Sequence, residues 1–91
     1  MTYQISQETA NEILYEAYCA YKLDQFFFSR YDNAYKIYHE RAKAFLQAWS
    51  MITNIELEGG IYALANFTDD DFADVILDRM ADDFELSDTV L

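Results

Sequence analysis

The fold is decided first by residues 6–29, which read SQETANEILYEAYCAYKLDQFFFS. Ser6 is a good N-cap, and Glu8 follows in the first turn, where the helix dipole favours an anion. Apolar side chains then recur at helical spacing on one face. These are Ala10, Ile13, Leu14, Ala17, Tyr21 and Phe28. The opposite face carries Glu8, Glu12, Glu16, Lys22 and Gln25. The pattern predicts a first helix over about residues 7–29.

Asp24 interrupts the apolar face of this helix. Either the helix bends or ends near it, or the carboxylate is paired with a base. The candidate bases nearby in sequence are Lys22, Arg30 and Arg41. A paired or edge-exposed carboxylate is favoured over a catalytic one, because a buried charge is tolerated when it is paired.

The chain has no proline and only two glycines, Gly59 and Gly60. An all-β domain would need more turn residues, so long helices are expected. Asp32 or Asn33 is a cap for a second helix, predicted over about residues 33–57 and ended by a left-handed glycine. Its apolar face is Ala34, Tyr35, Tyr38, Ala42, Phe45, Trp49 and Ile52, with His39 on the flank.

Residues 55–67 allow two interpretations. The alternation around Gly59-Gly60 suits a β-hairpin, since Gly-Gly is a legitimate hairpin turn. Ala63 and Ala65 argue against strands, and an isolated two-stranded hairpin is marginal in water. A short connector helix over about residues 61–67 is therefore favoured.

Thr68 followed by three aspartates, residues 69–71, is a strong helix start. It predicts a third helix over about residues 69–85. Its predicted apolar side is Phe72, Ala73, Ile76, Leu77, Met80 and Phe84. The fold class is then all-α, a single domain over residues 1–91 with three main helices and the short connector after Gly59-Gly60.

The acids are distributed unevenly along the 91 residues. Eleven of the 17 carboxylates lie in residues 54–91, where Arg79 is the single base, so that segment carries about −10 of the formal net charge of −11. An apolar fraction of 53% excludes a disordered acidic tail. The negative charge disfavours direct binding to nucleic acid or to an anionic membrane, and it suits a basic partner.

Sequence signals for chemistry are weak. Cys19 lacks a second thiol and is interpreted as an apolar filler, while His39 has no second histidine for a zinc site. The segment Asp69-x-Asp71 lacks the glycine and distal glutamate of a calcium loop. We therefore expect no catalytic residue, metal or cofactor. With no signal-peptide pattern at the N-terminus, a cytoplasmic location is expected.

A row of aspartates on the third helix is the main candidate for function. Asp71, Asp74, Asp78 and Asp82, here called the acidic row, fall within about 80° of arc, with Asp70 beside them. Like charges at this spacing repel, and no lysine interrupts the row. It is either a merely solvated face or a partner-binding surface that imitates the phosphates of a nucleic acid.

In size and acidity, and in the Thr68-Asp69-Asp70-Asp71 start with the row through Asp82, the chain resembles small acidic inhibitors of phages and mobile elements. These are the anti-CRISPR and antirestriction proteins, several of which are DNA mimics. The resemblance covers the last quarter of the chain. It implies a CRISPR effector or restriction enzyme of a bacterial host as the partner.

Aromatic residues support a second hypothesis. Phe26, Phe27 and Phe28 sweep about 200° of a helix and cannot all face one core. Such surplus aromatic area is typical of an interface, and it points to a surface around Phe26, Phe27 and Tyr31. The alternative function is a helical dimerisation or adaptor module whose acidity only keeps it in solution.

Overall fold

The computed structural model describes the backbone of residues 6–89 and the side chains of residues 6–82. Three α-helices form the domain: α1 (Gln7–Ser29), α2 (Tyr35–Thr53) and α3 (Ala73–Thr89). Two 3-10 helices, Gly60–Asn66 and Asp69–Phe72, connect α2 to α3. The all-α prediction of three main helices with a short connector is confirmed. No helix in the described part of the chain has the length and apolar character to cross a membrane.

Helices α1 and α2 pack against each other and enclose most of the core. Helix α1 begins as predicted, with Ser6 Oγ accepting a hydrogen bond from the Thr9 N–H at 3.2 Å. The core consists of Ala10, Leu14, Ala17, Tyr18, Ala20, Ala42, Leu46, Trp49, Ile61, Leu64 and Phe72. Two residues of the predicted apolar faces of α1 and α2 are instead exposed, Phe28 and Ile52. Each is the next-to-last residue of its helix.

Helix α2 is shorter than expected at both ends. Its last residue is Thr53, and Asn54, not the predicted glycine, takes the left-handed conformation (φ 58°, ψ 24°). Asparagine tolerates this conformation because its side chain hydrogen-bonds locally. Gly59 (φ 93°) is instead the N-cap of the first 3-10 helix, which begins at Gly60. At the other end Ala34 is the N-cap, and Asp32 Oδ1 accepts from the Ala34 N–H at 2.9 Å.

Residues 60–66 are helical, so the hairpin alternative is wrong. Ile61 and Leu64 from this segment are buried against α1 and α2. Thr68 and Asp71 then form the predicted start of the next helix, with the Thr68 N–H donating to Asp71 Oδ2 at 2.7 Å. Its first turn, Asp69–Phe72, is 3-10 rather than α.

The face on which α3 packs matches the predicted one only at Phe72 and Ile76. Phe72 and Val75 are buried and Ile76 is partly buried. Leu77 and Met80 are each 61% exposed. The sequence pattern did not fix the rotation of this helix, because its apolar residues spread over more than one side. The predicted apolar residue Phe84 lies outside the described side chains.

Candidate protein-binding surface

The acidic row lies on the outside of the molecule. Asp70 and Asp71 belong to the second 3-10 helix, and Asp74, Asp78 and Asp82 follow on α3; all are exposed. Asp71 is partly committed to the fold, since its Oδ2 accepts hydrogen bonds from the Thr68 N–H and hydroxyl. Among the side chains of residues 6–82, no salt bridge reaches any of these five carboxylates. They therefore remain electrostatically available to a partner.

A groove between α1 and α3 brings a second set of carboxylates to the row. Glu8 and Glu12 of α1 line a cavity of about 310 Å³ together with Asp74 and Asp78 of α3. These four residues are called the acidic groove below. Val75 and Leu77 contribute apolar surface to the same cavity. Sequence reasoning missed the two glutamates, since their i,i+4 spacing shows one face of α1 but not that α3 lies beside it.

Arg79, the single base of residues 54–91, stabilises the packing of α3 on α1. Its guanidinium forms an ion pair with Glu16 and lies 5.0 Å from the centre of the Tyr15 ring. The hydrogen bond to Glu16 is the main reason that the pKa of Arg79 is raised further. The arginine is thus engaged by Glu16 and leaves the acidic row uncompensated.

Asp69 plays a different part from the aspartates that follow it. Its Oδ1 accepts from the Tyr18 hydroxyl at 2.8 Å and lies 3.5 Å from Lys22 Nζ. The Tyr18 bond first, and the Lys22 charge second, lower the pKa of Asp69. Burial, followed by the hydrogen bond to Asp69, raises the pKa of Tyr18. Through these contacts Asp69 stabilises the packing of the second 3-10 helix on α1.

Metal binding is not supported by the side chains that the structure describes. Within residues 6–82, no group of three His, Cys, Asp or Glu side chains is arranged to hold a metal ion. Cys19 is partly buried, and burial is the main cause of its raised thiol pKa. A raised pKa keeps the thiol protonated and poorly nucleophilic.

Asp24 is buried and paired across the helix hairpin. Its Oδ2 lies 3.1 Å from Nδ1 of His39 on α2. The expected partners Lys22, Arg30 and Arg41 are therefore wrong. His39 also lines a larger open cavity, about 890 Å³, between α2 and residues 56–62. Sequence spacing could not reveal this pair, because it depends on how α2 folds back on α1.

The end of the helix hairpin presents aromatic side chains. Phe26 is 46% exposed with Arg30 stacked 4.3 Å from its ring centre, and Tyr31 is 98% exposed. Phe28 is exposed as well. Phe27 is partly buried and stacks on Tyr38, with ring centres 5.4 Å apart. Two of the three predicted interface residues are therefore available, while Phe27 belongs to the packing between α1 and α2.

No protein-family model, curated protein or solved structure matches this chain. Two places in the molecule bear on its function, the acidic surface of α1 and α3 and the aromatic end of the hairpin.

Proposed function

We propose that this protein is a small acidic inhibitor that occupies a basic, nucleic-acid-binding surface of another protein, with the carboxylates of α3 in place of phosphates. The observation that carries the proposal is the acidic groove. Glu8 and Glu12 add to Asp74 and Asp78 at one cavity, while Arg79 is engaged by Glu16. Such clustering costs stability through like-charge repulsion, and a basic partner relieves that repulsion.

A basic partner that normally binds nucleic acid fits this surface best. Asp74 to Asp82 spans about 12 Å of helix axis, a short linear run of negative charge. A groove that binds phosphates with lysine and arginine would accept that run and release counterions in the same way. The resemblance to anti-CRISPR and antirestriction inhibitors points to a defence protein of a bacterial host as the partner. It would be a CRISPR effector or restriction enzyme, bound in the cytoplasm.

Competition with DNA tests the proposal. Heparin retains nucleic-acid-binding proteins, so the heparin-retained fraction of a bacterial lysate is applied to the immobilised protein at low salt. We expect a retained partner to be released by a DNA duplex in a buffer of unchanged ionic strength. A partner that DNA cannot release at any concentration would show that the acidic surface does not compete with nucleic acid.

A second candidate function is supported by the aromatic end of the hairpin. Tyr31 and Phe28 expose 98% and 59% of their surface, although aromatic rings are usually buried or at interfaces. A dimerisation or adaptor module would use this end. Salt separates the two functions, because screening weakens binding through carboxylates and leaves an aromatic contact nearly unchanged.

A further inference from the structure

Helix α3 carries a row of exposed apolar residues that the core does not use. Ala73, Leu77 and Met80, here called the apolar row, are spaced four and three residues apart. At 100° per residue they fall within about 60° of arc. Leu77 and Met80 each expose 61% of their surface. Imitation of phosphates does not require these side chains, so the acidic row does not account for them.

The apolar row and the acidic row lie on neighbouring faces of α3. Their centres are about 130° apart, and the buried side marked by Val75 and Ile76 is a third direction. The two rows meet at Leu77, which lines the acidic groove together with Asp74 and Asp78. A partner placed between the rows therefore touches apolar and charged side chains at once.

The spacing and charge of this surface specify its occupant. Apolar residues at i, i+4 and i+7 form the seam along which one helix packs on another. A second copy of α3 would bring its own aspartates against Asp74 and Asp78, and two chains of net charge −11 repel. A helix that carries lysine or arginine beside its apolar residues meets complementary charges instead.

We infer that α3 is the docking site for a basic amphipathic helix of the partner protein. Apolar side chains of that helix pack on Leu77 and Met80, and its lysines or arginines contact Asp74 and Asp78. The inference rests on the proposed function for the acidic contacts but not for the mimicry of nucleic acid. It assigns the partner's contact to one helix with an apolar seam rather than to a flat basic surface.

Two synthetic probes test this inference by fluorescence anisotropy. One is an amphipathic Leu/Lys helix of about four turns, and the other is a polylysine of equal charge. The variant Leu77→Gln/Met80→Gln is compared with the matched control Ile37→Gln/Met51→Gln, whose residues on α2 are 62% and 73% exposed. All four positions are exposed, so both variants are expected to retain wild-type circular dichroism and urea midpoint.

We expect the Leu77/Met80 variant to bind the amphipathic helix about tenfold more weakly, a loss of about 1.4 kcal/mol. Its affinity for polylysine and both affinities of the control variant should stay at the wild-type value. Equal losses in the two variants, or none in either, would overturn the inference. Sedimentation gives a further outcome against it: self-association of the wild type that Leu77→Gln/Met80→Gln abolishes would make a second copy the occupant.

The two proposals fail separately. If binding of the amphipathic helix depends on Leu77 and Met80 while DNA releases no captured partner, that result would support helix docking and contradict nucleic-acid mimicry. Release by DNA with no contribution from Leu77 and Met80 would keep mimicry and remove helix docking.

Discussion

The carboxylate of Asp24 on α1 is hydrogen-bonded to His39 on α2, with 3.1 Å between Oδ2 and Nδ1. The Asp24 side chain is 5% exposed and the His39 side chain 32% exposed. The bond therefore joins α1 to α2 at a place where water reaches His39 but hardly reaches Asp24. It gives a buried acid on the apolar face of α1 the polar contact that burial requires.

Replacing His39 alone should lower the free energy of unfolding more than replacing His39 and Asp24 together. His39→Leu leaves the Asp24 carboxylate buried without its partner, and we expect a loss of about 1.5–3 kcal/mol in the free energy of unfolding. The double variant Asp24→Leu/His39→Leu exchanges both polar groups for apolar ones and should recover most of that loss. Urea midpoints measure both. A double variant as unstable as the single one would mean that the pair is not the source of the effect.

The contrast between Asp24 and Ser6 shows what the sequence could predict. The caps at Ser6 and Thr68 depend on residues within one turn, so local spacing was enough to place them. The partner of Asp24 and the glutamates beside α3 depend on how helices pack, which no spacing along one helix reveals. The predicted rotation of α3 is wrong in part for a related reason. Val75 and Leu77 are both apolar, and only contact with α1 determines that Val75 is the buried one.

The stabilisation that the hydrogen bond from Tyr18 to Asp69 provides should depend on pH. It is the main cause of the lowered pKa of Asp69, so its stabilising contribution is present above the ordinary pKa of 3.8 and is lost as pH falls through the folded-state value. Tyr18→Phe removes the bond and should move the Asp69 titration upward. Carbon-detected NMR of the carboxyl follows this shift. An unmoved titration would assign the lowered pKa to Lys22 alone.

Tyr31 combines a strained backbone with an almost fully exposed side chain. Its φ of 58° is unfavourable for a bulky residue, and 98% of its surface is in solvent. Tyr31→Gly should therefore raise the free energy of unfolding by about 0.5–1 kcal/mol. Relief of the left-handed conformation gains about 1–2 kcal/mol, which exceeds the roughly 0.5–1 kcal/mol that glycine's freedom in the unfolded chain costs. Thermal denaturation measures this change. A decrease in stability would mean that the strain at Tyr31 is smaller than the entropic cost of introducing glycine.

Substitution of the exposed Tyr31 ring also tests the dimer hypothesis. If the aromatic end is a self-association surface, the wild type should sediment at twice the chain mass of 10.7 kDa. Tyr31→Glu and Phe26→Glu should then favour the monomer, because a carboxylate is poorly tolerated in an apolar contact. A wild type that remains monomeric at high concentration would remove the dimer and leave the aromatic end as a candidate contact for another protein.

Replacing two aspartates of the acidic groove tests the main proposal against a matched control. Asp74→Asn/Asp78→Asn keeps the shape of both side chains and removes two charges. Glu56→Gln/Glu58→Gln removes the same charge from exposed residues at the other cavity. We expect stability within about 0.5 kcal/mol of wild type for the Asn variant, because less like-charge repulsion offsets a weaker interaction with the α3 dipole.

Partner binding should separate these two double variants. Affinity for the captured partner should fall by about 2–5 kcal/mol for Asp74→Asn/Asp78→Asn if the contacts are desolvated charge pairs, and by less if they lie at a rim. The Glu56/Glu58 control should lose only the long-range attraction, which salt screens. Titration calorimetry at two salt concentrations measures both terms. Equal affinities of the two variants at both concentrations would show that net charge alone attracts the partner, and the acidic row would then be a solvated face.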